Sequence, residues 1–203
     1  RPRDAQRHEI DEMEPAIGPL LKAWANHLET GPRGPAILLD LSPRLNEDQR
    51  SLVDAVIETT FPGIRRTWEY LSQGGGRIDR LSVWIGSLSS KEPSRCIRMG
   101  KKKIMATIEG KVAESELVSM SSPPPFGAHL TIVDPALVQS GLHEAWLDRA
   151  LPENAGHSWL KLEGRRPLLI STDPLTRDDE IDAFVIASGE IVQHRLTPPE
   201  LHT

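Results

Sequence analysis

The chain has 203 residues, 24 Lys+Arg against 29 Asp+Glu, a formal net charge of −5 and 38 % hydrophobic residues. That length suits one domain, or one domain with a short arm, and can bury a sizeable core. The acidic balance argues against nucleic acid as a partner, because polyanion binding needs a net basic face. No apolar run approaches the ~20 residues that cross a bilayer, and no signal-peptide pattern is present. Cys96 is the one cysteine, which excludes an intrachain disulfide and multi-cysteine metal centres. The first residue is Arg rather than Met, so the chain reads as a trimmed piece of an intracellular protein.

Residues 1–35 read as an N-terminal helical arm followed by a linker. Ile17, Leu20, Leu21, Trp24 and Leu28 recur at helical spacing over 14–28, and Gly31-Pro32-Arg33-Gly34-Pro35 ends the helix. Residues 36–203 read as a single α/β domain. Its first element, 36–41 (AILLDL), is a continuous apolar run of the kind buried on both faces of a parallel sheet. Residues 46–70 read as largely helical, with Leu52, Val53, Val56 and Ile57 on one face and a break at Phe61-Pro62-Gly63. The spacing predicts a second helix over 64–72, stopped by Gly74-Gly75-Gly76. A strand follows at 78–87, then a stretch at 96–118 that fits either two strands or one helix from 104. The SSPPPFG run at 121–127 reads as an unstructured break. Beyond it come a strand at 129–133, an amphipathic helix at 135–150, short strands at 158–162 and 167–171, a helical turn from 178 and a last buried strand at 183–187. Trp24, Trp68, Trp84 and Trp146 fit apolar faces and read as core. This order implies α/β, with a mostly parallel central sheet flanked by helices.

Open parallel sheets place ligands at the carboxyl ends of their strands. Three such ends are polar: Asp40 with Ser42 and Arg44, Ser87 with Ser89, Ser90 and Lys91, and Ser188 with Glu190. An acid, an arginine and several hydroxyls suit a diphosphate and its metal ion, and equally suit ordinary caps and turns. Ile108-Glu109-Gly110-Lys111 matches the hydrophobic-Glu-x-Lys pattern of a nuclease superfamily, with Glu109 binding Mg²⁺, Lys111 stabilising charge and Asp79 as the third acid. His129-Leu130-Thr131 matches half of a two-histidine phosphoesterase signature, and neither His157 nor His194 supplies the other half. Lys101-Lys102-Lys103 reads as a solvated loop.

Taken in order, several of these segments resemble the cis-prenyltransferases, the undecaprenyl and dehydrodolichyl diphosphate synthases. AILLDLSPRL is similar to the family's first strand and its Asp-Gly-Asn-x-Arg-Trp motif. GIRRTWEYLSQGGGRIDRLSVWIGSLSS, HLTIVDPALVQSGLHEAWLDRAL and DAFVIASGE resemble later elements, so the likeness spans roughly 35–200. The resemblance implies Asp40 as catalytic acid and Mg²⁺ ligand, with Arg44, Ser42 and Ser87 binding phosphate. Leu41, Ser42 and Leu45 replace the motif's Gly, Asn and Trp, and His194 replaces a serine. Ile186 and Val192 stand where two diphosphate-binding arginines belong. Apolar side chains cannot hold a diphosphate. The resemblance therefore favours the non-catalytic, Nogo-B-receptor type of subunit, which supports a catalytic partner in polyprenyl diphosphate and dolichol synthesis. It implies a heterodimer with a catalytic cis-prenyltransferase subunit, or self-association, and prenyl diphosphate as a ligand. Mg²⁺ would come with the partner or with residual activity. Placement would be cytoplasmic, at the cytosolic face of the endoplasmic reticulum in a eukaryote, with membrane contact peripheral or through a part preceding residue 1. The alternatives are an atypical Mg²⁺-dependent prenyltransferase using Asp40 and the Glu109–Lys111 nuclease.

Overall fold

The structure is a computed structural model that describes residues 16–28, 31–113, 117–119, 123–161 and 167–192. The elements run α1 (Ile17–Ala25), β1 (Ala36–Leu41), α2 (Glu47–Thr60), β2 (Arg66–Ser72), β3 (Arg80–Gly86), β4 (Ser94–Met99) and β5 (Ile104–Gly110). They continue with β6 (Val118–Ser119), β7 (His129–Val133), α3 (Pro135–Gln139), α4 (His143–Ala150), β8 (His157–Lys161), β9 (Leu168–Ser171), α5 (Asp179–Ala183) and β10 (Val185–Glu190).

The expected mostly parallel central sheet is overturned. The strands form two five-stranded sheets, ordered β1-β3-β2-β4-β5 and β10-β7-β9-β8-β6. Parallel pairing is confined to β2 with β4 and the two-residue contact of β6 with β8; every other pair is antiparallel. The reason lies in connection length. A parallel neighbour needs a crossover of a dozen or more residues, whereas β2 to β3 and β4 to β5 are joined by short turns that allow only hairpins. Residues 64–72 are the pivotal correction, since β2 takes the place of the expected second helix and lies at the centre of the first sheet. Thr67, Trp68, Glu69, Tyr70 and Ser72 are all buried, and β-branched and aromatic residues fit such a two-sided strand. The charges of this strand are matched by neighbours: Arg66 pairs with Asp54 and Glu58 of α2, and Glu69 with Arg95.

Helix α2 is locally encoded. The Asn46 side chain accepts from the Gln49 N–H and the Gln49 side chain accepts from the Asn46 N–H, a complete capping box. Val53 and Ile57 are fully buried, while Leu52 points outward. The helix expected in the arm packs on α2 through Ile17 and Leu21, and its Trp24 is exposed rather than core. Trp68, Trp146 and Trp159 are buried; Trp84 is half-buried. The helix expected at 135–150 is two helices, because the chain turns at Ser140-Gly141-Leu142 with Gly141 at φ 70°. Of the two readings of 96–118, the described part at 96–110 is two strands joined through the Gly100–Lys103 turn.

Three layers result. Helices α1 and α2 cover part of the inner face of the first sheet, where Arg50 lies over the Tyr70 ring and the Trp68 Nε1–H donates to Asp54. Helix α3 packs on β2, and α4 and α5 pack on β5. From the other side, His143 and Trp146 of α4 meet Trp159 of β8. Polar ties reinforce the junction: the Ser94 hydroxyl donates to Ser140 O, the Ser72 hydroxyl to Asp134, and Arg98 Nε–H to Ala183 O. On the outer faces Leu38, Asp40, Val118 and Ala187 are exposed, while Glu69, Ser82 and Leu160 are buried. The last strand, expected to be buried, is an exposed edge. No helix among the described residues is long and apolar enough to cross a membrane.

Candidate functional site

Of Asp40, Ser42, Arg44 and Ser87, expected to form a phosphate and metal site, Arg44 alone lines a sizeable cleft. Asp40 is exposed on the outer face of β1, with Arg80 Nε 3.7 Å away. Its register partner is Ser82 of β3. A single carboxylate beside a guanidinium is a poor Mg²⁺ ligand set. Among the described residues, no group of three or more His, Cys, Asp and Glu is placed to hold a metal ion. Ser42 shapes the turn after β1, its Oγ accepting from the Arg44 N–H at 3.3 Å. Ser87 lies at the opposite end of the sheet, because β1 and β3 are antiparallel and Ala36 faces Gly86 while Leu41 faces Leu81. Those ends are about 17 Å apart at ~3.4 Å per residue. In a parallel sheet the two strand ends would have met; antiparallel pairing separates them.

The nuclease triad is also dispersed. Asp79 precedes β3 and accepts from the Gln73 N–H at 2.7 Å. Glu109 is on β5, three strand spacings across the sheet, about 14 Å, and is paired with Arg95. Lys111 is exposed beyond the end of β5. Ser188 accepts from Arg177 in the second sheet. His129 is half-buried on β7, in register with Ser171, which faces His157 on β8. His194 lies outside the described residues.

The structure does assemble a cleft of about 720 Å³ where the turn after β1, the start of α2, the β2–β3 connection and α3 meet. Arg44, Arg50 and Arg77 line it, together with Asn46, Gln139 and the backbone of Gly76. Glu47 and Asp79 are the acids on its wall. Each arginine has a local reason for its position. Arg50 is one turn into α2, donates Nη1–H to Leu45 O at 2.9 Å and lies 5.9 Å from the Tyr70 ring centroid. Arg77 sits at the tip of the glycine-rich turn, with Nε 3.4 Å from Asp79. Beneath the cleft, Asp134 is buried and braced. It accepts from the Ser72 hydroxyl at 2.6 Å and the Ala136 N–H at 3.0 Å, with Arg98 Nε 3.8 Å away. The Gly74 N–H donates to Ser72 Oγ, which ties the glycine-rich turn to the same anchor.

Burial pushes the Tyr70 hydroxyl up to about 12, only partly offset by Arg50, so the phenol under Arg50 stays neutral. Sequence reasoning singled out Arg44 and missed Arg50, Arg77 and Gln139. Gly74-Gly75-Gly76, read as a helix stop, instead forms the β2–β3 turn that carries Arg77 to the cleft. No protein-family model, curated protein or solved structure matches the chain.

Proposed function

We propose that this chain is a binding domain for a small anionic molecule carrying phosphate or diphosphate, held in the Arg44–Arg50–Arg77 cleft. The observation that carries this reading is that three arginines, Arg44, Arg50 and Arg77, line one cleft of ligand size. Guanidinium forks match phosphate oxygens through paired N–H donors. Asn46 and Gln139 add amide donors at the rim, and the half-apolar wall of Pro43, Leu45, Ile78 and Pro135 fits an organic group attached to the phosphate. A role as a subunit of polyprenyl diphosphate synthesis loses its main support together with the parallel sheet. Prenyl diphosphate stays in the ligand class because Arg44 lines the cleft.

Calorimetric titration of inorganic diphosphate and of a prenyl diphosphate into the wild type, Arg44→Ala and Arg77→Ala tests the reading. The wild type is expected to bind, and each variant to bind roughly 10- to 100-fold more weakly, the value of one charge-assisted contact. Affinity should also fall as salt is raised. A wild type that takes up neither ligand, or variants that bind as tightly as the wild type, would overturn it.

A further inference from the structure

The β4–β5 hairpin ends in a cationic tip. Lys101, Lys102 and Lys103 are all exposed, in a tight turn closed by the Gly100 N–H donating to Lys103 O at 2.8 Å. Among the described residues none of the three lysines has an ion pair or a side-chain hydrogen bond. Two large apolar residues follow at once. In the β4–β5 register Met99 faces Ile104 and Arg98 faces Ala106, so Met105 is the extra residue of a β-bulge. The bulge breaks the alternation of the strand. Ile104 and Met105 are both exposed, at 56 % and 44 %, before Ala106 and Ile108 return to the core.

The neighbouring elements leave this tip positive. Strands β2 and β4 run parallel, with Ser72 beside Arg98, so the β2–β3 connection lies at the same end of the sheet. A Cβ at Gly74 would collide with the Arg98 guanidinium, which shows how closely the two turns approach. That connection carries Arg77, whose side chain is 80 % exposed beside Asp79. Helix α5 packs on β5 and is acidic, but Glu180 and Asp182 are taken up by Arg149 and Arg177. Asp178 caps the same helix, which leaves Asp179 as its uncommitted carboxylate.

We infer that this tip docks the protein on a membrane surface rich in anionic phospholipid. The lysines lie among the headgroup phosphates, and Ile104 and Met105 enter the acyl boundary. Three arguments select lipid. Charge is complementary at this end and not elsewhere: the chain carries −5, so an anionic surface attracts the tip, repels the remainder and orients the molecule. Shape agrees, since a projecting turn can enter a fluid layer, whereas a folded acidic partner needs a broader face. Composition agrees as well. Exposed apolar side chains directly beside lysines are the combination of an interfacial anchor, while a single-stranded nucleic acid calls for aromatic stacking platforms.

Flotation of the purified chain with vesicles of phosphatidylcholine, alone or with about one third phosphatidylserine, tests this. The wild type is expected to float with the anionic vesicles, not with the neutral ones, and to be released as salt rises. Lys101→Gln with Lys102→Gln should weaken binding about 25-fold, roughly five-fold per lysine. Ile104→Ser with Met105→Ser should weaken it at least about five-fold and keep the salt dependence. Leu38→Ser, a comparably exposed apolar position on β1, should float like the wild type. The two double variants are independent, so either decides if the other fails to fold by circular dichroism. A wild type that ignores anionic vesicles, or takes neutral ones equally well, overturns the proposal, as do double variants that float like the wild type. A wild type that binds heparin or an oligonucleotide but no vesicle would give the tip to a polymeric anion, with the same result.

Discussion

On the outer face of the first sheet a polar row runs through Asp40, Ser82, Glu69, Arg95 and Glu109, one residue per strand. The matching rows of the second sheet contain no charge at all. In the first, Arg95 bridges Glu69 at 2.9 Å and also pairs with Glu109, and Asp40 pairs with Arg80. Cross-strand neighbours thus compensate one another laterally, which leaves the buried Glu69 carboxylate paired within the row. The outer rows of the second sheet have no such ion pairs; Leu160 is buried there and Leu130, Ile132, Leu168 and Ile170 are half-buried. Two sheets of the same strand number, joined by one core, therefore differ in what holds the outer face together: ion pairs across the strands in one, apolar side chains in the other.

The largest way to break the first sheet is steric. Gly86 ends β3 at φ 65°, and a Cβ there would lie 2.0 Å from Pro35 O. Gly86→Ala should cost about 3 kcal/mol or more, from left-handed strain plus displacement of the chain entering β1, read as a lower midpoint in urea. Pairing of β1 should loosen with it, visible as faster amide exchange along 36–41.

Next in size is an alkaline loss centred on the inner face of the same sheet. Tyr70 is raised from 10.0 to about 12 by burial. The folded state therefore holds its proton where the unfolded state has released it. Stability is full below pH 10 and declines as pH rises to 12, by about 2–3 kcal/mol. Burial also pushes the Cys96 thiol up, which acts in the same direction. Urea titrations at pH 9, 10 and 11 read the decline, and Tyr70→Phe should make it shallower.

Arg95→Ala tests whether the polar row holds its sheet together. It leaves the buried Glu69 carboxylate without its cation, while the partial exposure of Arg95 and Glu109 tempers the loss. The expected cost is about 2 kcal/mol, and Arg95→Lys should recover only part of it, since one ammonium cannot match a fork that reaches both carboxylates.

The second sheet has its own sensitivity, at the acid end and smaller. His143 is buried against Trp159, and that burial lowers its pKa below 6.5 despite Glu144 nearby. The unfolded chain takes up this proton first, so the stability present above pH 6.5 declines as pH falls through the folded value. Thermal melts between pH 7 and pH 5 should show the decline, reduced in His143→Gln. Least of all, Leu38→Lys on the outer face of the first sheet should shift stability by no more than about 0.5 kcal/mol, since Leu38 is 48 % exposed.

What the sequence determined by itself is local. The Pro-Gly breaks at 31–35 and 61–63 and the apolar runs of β1, β3, β7 and α2 are written in neighbouring residues and appear where expected; the capping box at Asn46 is equally local. The identity of β2 was not legible, because Arg66 and Glu69 look like the solvent side of a helix until Asp54, Glu58 and Arg95 stand beside them. Strand direction followed from that one element. With 64–72 read as helix, the chain alternates strand and helix and implies parallel pairing; with β2 in place, hairpins dominate and the sheet divides in two. The same reversal moved Ser87 away from Asp40 and brought Arg50 and Arg77 to Arg44. Periodicity records which face of an element is buried, but not which neighbour buries it, and partners distant in the chain meet only when the tertiary fold closes.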